Sequence, residues 1–174
     1  MNTLIRFLTG VILSFFIITI LPSESSAQNK LRVGVYDSRA IAVACFNSNM
    51  YKDPMGELRN KMQAARDAND NKAISDIEWE ATLRQAMGHE KGFGTGSVMT
   101  EIEIIKKEMK ELARKEKLDL VVSKWELAFT GENVLIMDIT DKLARLFKPN
   151  EKVLGWIGEM KKQNPVKEAY LIRD

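Results

Sequence analysis

The amino-acid sequence predicts an α+β fold, in which N-terminal and C-terminal strands form a small β-sheet body and a helical hairpin forms a coiled-coil-like arm between them. The first observation is a period-two alternation of apolar residues from Leu31 to Tyr36, which predicts a half-buried strand. The second is a charged, helix-forming stretch over about residues 54–116. The third is the return of strand-forming sequence over 118–137, followed by terminal helices over 139–162. Because the strands on both sides of the helical stretch must meet in one sheet to bury their apolar faces, the helices are left as the arm.

The first 27 residues have the pattern of a secretory signal peptide. Arg6 precedes an apolar run over residues 7–21, and Ser25 and Ala27 stand at the −3 and −1 positions of a small-residue cleavage site. As a helix the run would span about 22 Å, which is short of the ~30 Å hydrocarbon core of a membrane. We therefore expect an exported protein of the periplasm or cell envelope. It should be soluble after cleavage near Ala27, with one domain over 28–174 and no transmembrane segment.

Composition narrows the classes of function. A formal net charge of +2 is too close to neutral for general nucleic-acid binding, which needs clustered cations. Cys45 is the one cysteine of the chain, so it cannot form an intrachain disulfide, and its apolar neighbours indicate a buried thiol.

The helical arm is predicted from three amphipathic stretches. After the first strand, Asp37 and Ser38 can cap a short helix through Phe46, and Pro54 is suited to the first turn of the next helix. The turn formers of residues 67–71 separate the first arm helix from the second, and four glycines within residues 88–96 end the second. The inward-facing residues are expected to be Met55, Leu58, Met62 and Ala65 in the first helix, Ile74, Ile77, Ala81, Leu83 and Met87 in the second, and Val98, Ile102, Ile105, Met109 and Leu112 in the third.

The C-terminal part returns to strands and short helices. Strands are predicted over 118–122, 127–129 and 134–137, with a turn at Gly131. A helix capped by Asp138 or Thr140 should continue to Phe147, and another helix should cover 151–162. Pro165 is predicted to begin a polar tail.

A glycine-rich corner at His89–Gly96 is a weak candidate for a ligand site. A phosphate-binding loop would lie between a strand and a helix and be followed by a lysine, whereas this loop joins two helices. We expect a flexible corner in which Phe93 docks into the core and His89 caps a helix C-terminus. Because His89 is the one histidine, a serine or cysteine nucleophile has no second histidine to activate it, and no catalytic residue, cofactor or enzymatic activity is predicted.

Two alternatives remain open. Asp67 to Glu78 has the oxygen-ligand spacing of a calcium-binding helix-loop-helix module, but Lys72 stands where the sharp turn favours glycine. We expect an ordinary helix-hairpin turn there, without a metal site. The second alternative is a small-ligand-binding, scaffold or enzymatic protein that uses a pocket lined by His89, Phe93 and Trp125.

Two C-terminal motifs carry a resemblance to a known family. The run Lys117-Leu-Asp-Leu-Val-Val-Ser-Lys124 follows the arm, and Asp138-Ile-Thr-Asp-Lys-Leu143 opens the next helix. With the leader and the first strand, they make the chain similar to the Skp/OmpH family of periplasmic chaperones. The resemblance implies an exported, non-catalytic, chaperone-like protein that holds unfolded outer-membrane or secreted clients. It also implies a homo-oligomer, because members of that family are trimers whose strands form a shared body and whose hairpins surround the client.

Two residue sets are predicted to carry these roles. Methionines near the ends of the arm segments are expected to contact clients, because a flexible thioether adapts to many apolar partners. They are Met55, Met87 and Met99. The strands expected to assemble between copies contribute Leu31, Val33, Val35, Leu118, Leu120 and Val122.

Overall fold

The computed structural model describes residues 30–173, so the predicted signal peptide lies outside the described residues. Seven α-helices and a three-stranded sheet within this range confirm the α+β fold class. The elements are, in chain order, β1 (Leu31–Tyr36), α1 (Ser38–Phe46), α2 (Pro54–Asp67), α3 (Asn71–Gly92), α4 (Met99–Ile104), α5 (Lys106–Lys115), β2 (Leu120–Ser123), β3 (Val134–Asp138), α6 (Thr140–Ala144), a 3₁₀ turn (Arg145–Phe147), α7 (Glu151–Met160) and a second 3₁₀ turn (Ala169–Leu171). None of the helices between residues 30 and 173 is long and apolar enough to cross a membrane.

The sheet is parallel, with β1 in the centre and strand order β2-β1-β3. Val33 of β1 lies opposite Leu120 of β2 and Ile136 of β3, so these three side chains share one face. The side chain of Tyr36 points to the other face, where it joins the main core. Gly34 lies on that same face. The predicted alternation of β1 is therefore confirmed, and the two sheet faces have different surroundings.

The connection from β2 to β3 crosses the central strand. It begins where Lys124 N donates a hydrogen bond to Tyr36 O and ends where Asn133 O accepts one from Leu31 N. Connections between parallel strands are right-handed almost without exception. The connection from β1 to β2 and the connection from β2 to β3 run in opposite directions across the sheet, so they must lie on opposite faces. Residues 124–133 should therefore pass over the Val33 face, on which Val33 is 2% exposed whereas Leu31, Leu120 and Ile136 are 40–49% exposed.

Helix α1 is the centre of the hydrophobic core. It begins at the cap provided by Asp37, whose side chain accepts a hydrogen bond from Arg39 N, as predicted. Its small alanines let neighbouring helices approach closely, and Ile41 and Cys45 have no exposed surface. The other elements contribute Val98, Ile102, Ile105, Leu143, Ala144, Phe147, Val153 and Ile157.

Helices α2 and α3 form the predicted hairpin, which begins at Pro54 in the first helical turn. Leu58 and Ala65 are buried in it, as expected. However, α3 also packs against α1 and the second 3₁₀ turn, so one side of the hairpin lies along the rest of the protein. The prediction that Leu83 and Met87 face inward is wrong, because both are largely exposed.

Several boundaries differ from the prediction. The third amphipathic stretch is divided at Ile105 into α4 and α5, and its buried residues pack on the core around α1. Residues 127–129 are not a strand, because this segment belongs to the crossover between β2 and β3. Leu118 precedes β2, and its Cδ1 atom lies 2.7 Å from the position that a Cβ of Gly34 would occupy. Leu118 therefore packs beneath the opposite face from Leu120, so the structure does not place it beside the other predicted assembly residues.

Candidate binding cleft

An open cleft lies between α3 and residues 47–53, which connect α1 to α2. The cleft has two adjoining hollows of about 540 Å³ and 680 Å³. Both are lined by Phe46, Tyr51, Pro54, Arg84 and Gly88. Volumes of this size are typical of sites for small molecules or for a few side chains of a partner.

Local sequence fixes the wall of this cleft. Ser48 terminates α1, since its hydroxyl donates a hydrogen bond to Cys45 O and accepts one from Met50 N. The chain then continues to Asp53, whose side chain caps α2. The rings of Phe46 and Tyr51 pack against each other with centroids 4.9 Å apart and planes at 52°. This tilted pair gives the cleft a rigid aromatic wall.

Two glycines open the opposite side of the cleft. Gly88 and Gly92 lie on α3, and apart from neighbouring residues and backbone of the same helix, no atom is found within 4 Å of the position that a Cβ would occupy at either residue. Gly88 lines both hollows, and Gly92 lines the larger one. Glycine destabilises a helix interior relative to alanine, so helix stability does not explain these two residues. The open space that they leave beside α3 does.

A buried ion pair lies at the base of the smaller hollow. Lys91 Nζ is 2.8 Å from Glu101 Oε1, and only 6% of the Glu101 side chain is exposed. The second oxygen, Oε2, is buried and has no hydrogen-bond partner. Burial and the nearby Glu101 carboxylate raise the pKa of Cys45 to about 11, so its buried thiol stays protonated and unreactive at neutral pH.

The structure places only part of the predicted client-binding set at the cleft. Met87 lines the smaller hollow and Met55 the larger one. Met99 is exposed but lines neither of them. Likewise His89 and Phe93 line the larger hollow, whereas Trp125 does not, so the pocket expected from those three residues does not form.

The glycine-rich corner is not a phosphate cradle. The amides of Gly94 and Gly96 donate to Glu90 O, and Thr95 N donates to Glu90 Oε1, so these donors are used within the corner. The prediction that Phe93 docks into the core is wrong, because 47% of the residue is exposed. His89 lies in the last turn of α3, and its Nδ1 is 3.2 Å from Ile172 O of the C-terminal tail.

The segment Asp67–Glu78 forms a short turn between helices. Residues from Asn71 onward belong to α3, and Asp70 caps that helix by accepting a hydrogen bond from Ala73 N. A loop that wraps a calcium ion would require the first turns of α3 to unwind. Within residues 30–173, no group of three or more His, Cys, Asp or Glu side chains could hold a metal ion.

Sequence reasoning missed a polar cluster at the carboxyl ends of the strands. Asp37 follows β1 and is fully buried, and its carboxylate accepts hydrogen bonds from Arg39 and from Trp125 Nε1. Lys124 Nζ is 2.9 Å from the same carboxylate, and Thr140 Oγ1 accepts a hydrogen bond from Asp37 N. Polar residues within two positions of the end of each strand were the available signal, because parallel strands end at one edge of the sheet. The Asp37 carboxylate therefore joins β1 to the residues that follow β2 and to the first turn of α1.

Comparison of the chain with known protein families, curated proteins and solved structures gives no match. The relationship to the Skp/OmpH family therefore stays a prediction from the sequence motifs.

Proposed function

We propose that this protein is an exported, non-catalytic holding protein that binds apolar segments of unfolded outer-membrane or secreted clients in the cleft beside α3. The observation that carries the proposal is an open cleft with the Phe46–Tyr51 aromatic pair on one side and Gly88 on the other. Exposed apolar surface that persists in a folded protein usually marks an interaction site. Met87, which is 58% exposed at the edge of the cleft, can adapt its shape to different apolar side chains.

The groups around the cleft favour binding over chemistry. Among the described residues, neither hollow is lined by a serine or cysteine, and Cys45 is buried as a thiol. Lys91 and Glu101 neutralise each other at the base of the smaller hollow. Reversible apolar contact is sufficient for holding an unfolded chain and requires neither nucleotide nor cofactor.

The test is suppression of aggregation. We expect the protein without its first 27 residues to keep an unfolded outer-membrane protein dispersed at near-stoichiometric ratio without nucleotide, as measured by light scattering. Gly88→Leu should fill the cleft and weaken this effect. Gly158→Leu is the matched control, because Gly158 is also a helical glycine with open space around it but lies on α7, away from the cleft. Equal suppression by both variants, or none by the folded wild type, would refute the proposal.

We also propose that copies of the chain assemble through the sheet. Both β2 and β3 are edge strands, and Leu31, Leu120 and Ile136 are 40–49% exposed on the face of the sheet that Val33 shares. Exposed apolar residues beside free edges favour association with another chain. The resemblance to the Skp/OmpH family makes a trimer the expected state.

A further inference from the structure

Glu101 is the unusual residue of the smaller hollow. Glu101 lies in the first turn of α4 and is only 4% exposed. Lys91 uses one carboxylate oxygen, and the other has no donor among the described residues. A buried acceptor without a donor is energetically unfavourable, so a ligand that supplies an N–H or O–H group at this position gains a strong, charge-assisted hydrogen bond.

The rest of the hollow suits an aromatic ring. The Phe46–Tyr51 pair offers aromatic surface, and Met50 and Met87 can make favourable sulfur–aromatic contacts. Arg84 also lines the hollow and provides a cation for the face of a ring. The two methionines are flexible, so a small movement of their side chains can admit the tip of a ligand to the buried oxygen.

We infer that the smaller hollow binds tyrosine or tryptophan side chains of clients, with the ring against Phe46 and Tyr51 and the phenol O–H or indole N–H donated to Glu101 Oε2. Both side chains combine an apolar ring with a single polar donor. The ring matches the apolar lining of the hollow, and the donor matches the unpaired Oε2. Phenylalanine fills the same space but leaves Oε2 without a donor. This inference rests on the proposed function and names the side chains that the cleft prefers.

The experiment compares three acetylated and amidated glycine-flanked peptides that carry Tyr, Trp or Phe. Binding is followed by NMR on protein with ¹³C-labelled methionine methyl groups. The Met87 signal should shift on titration, while the exposed Met99 signal outside the cleft serves as the internal control. For the wild type we expect Tyr or Trp peptides to bind about tenfold more tightly than Phe, the size of effect that a hydrogen bond to a charged group gives.

Two variants assign the preference to Glu101. Glu101→Gln keeps the shape of the side chain and should reduce the preference several-fold, because its hydrogen bond is no longer charge-assisted. The double variant Glu101→Met with Lys91→Met removes both charges, leaves no unpaired buried ion, and should abolish the preference while the Phe peptide still binds. Preference for only one of the two donor-bearing peptides supports the inference and identifies the donor.

Three results would overturn the inference. Equal binding of all three peptides by the wild type would do so while leaving apolar capture, and so the proposed function, intact. A preference that persists in both variants would remove Glu101 from the explanation. Absence of any Met87 shift with every peptide would overturn both the inference and the proposed function.

Discussion

The ammonium group of Lys124 lies 2.9 Å from Oδ2 of Asp37 and joins the end of β2 to the end of β1. The guanidinium of Arg39 donates two hydrogen bonds to the same carboxylate and another to Gln163 O beyond α7. Trp125 adds its indole N–H, and its ring lies 4.3 Å from Lys124 Nζ. One buried carboxylate thus connects two strands, the first helix and the C-terminal segment.

Removing the charge of Asp37 should strongly destabilise the protein. Asp37→Asn leaves the buried Arg39 guanidinium without its counterion, and the loss of one partner of a buried pair typically costs about 3–5 kcal/mol. Urea denaturation followed by circular dichroism measures the change. Asp53→Asn is the control, because Asp53 pairs with Arg59 at the surface and asparagine is an equally good helix cap. Similar midpoints for both variants would contradict the central role of Asp37.

The same carboxylate should make stability fall in acid. Burial alone would raise the pKa of Asp37, but hydrogen bonds from Arg39 and Lys124 outweigh this effect and lower the pKa below its usual value. The stabilisation is therefore complete above the unfolded-state pKa of about 3.9 and is lost as the pH falls through the lower folded-state pKa. Urea midpoints measured from neutral pH downward should decrease in this window for the wild type. Asp37→Asn should show a smaller decrease, and parallel curves would exclude Asp37 as the source.

Cys45 should not react with thiol reagents while the protein is folded. The residue has no exposed surface, and burial followed by the nearby Glu101 raises its pKa to about 11. Because the thiolate is the reactive form, labelling with Ellman's reagent at mildly alkaline pH should be slow in buffer and fast in denaturant. Rapid labelling of protein that is folded by circular dichroism would show that the core around α1 opens locally.

Alternation, helix caps and prolines predicted the helices and strands well, because each of these signals depends on a few neighbouring residues. The alternation of Leu31, Val33 and Val35 gave β1, the Asp37 cap gave α1, and Pro54 marked the first turn of α2. Within α3 the pattern failed at Leu83, since the helix changes its packing partner from α2 to α1 and the C-terminal 3₁₀ turn along its length. No periodicity within one helix can show such a change.

The site was harder to predict than the fold. The cleft depends on the distance between α3 and the chain after α1, which is set by packing and leaves only Gly88 and Gly92 as a sequence signal. Residues Asp37 and Lys124 are brought together by strand order, although they are 87 positions apart in the chain. Among the predicted client-binding residues, Met87 on α3 lines the smaller hollow, whereas Met99 at the start of α4 does not.

Gly96 should be intolerant of a side chain. A Cβ at this position would lie 2.9 Å from the carbonyl carbon of Glu90 and 3.0 Å from Lys91 N, both of which are backbone atoms that cannot move independently of α3. We expect Gly96→Ala to destabilise the protein by about 1–3 kcal/mol, as overpacking usually does. Gly131→Ala is the matched control, because no atom lies within 4 Å of a Cβ there. Thermal unfolding of both variants measures the difference, and an unchanged midpoint for Gly96→Ala would show that the corner can rearrange freely.

The final prediction concerns assembly through the sheet. Val33 is unsuitable as a test position, because it is already buried within one chain and a lysine there would unfold the monomer. Leu120 lies beside it on edge strand β2 and is 49% exposed, so Leu120→Lys should leave the folding of a single chain nearly unchanged. A charge at an edge strand opposes pairing with another chain, and we therefore expect this variant to form a smaller particle than the wild type in light scattering coupled to size-exclusion chromatography. Leu83→Lys provides the comparison, since Leu83 is 45% exposed but lies on α3, outside the sheet. A monomeric wild type, or a reduction in size with Leu83→Lys alone, would show that the sheet does not join copies of the chain.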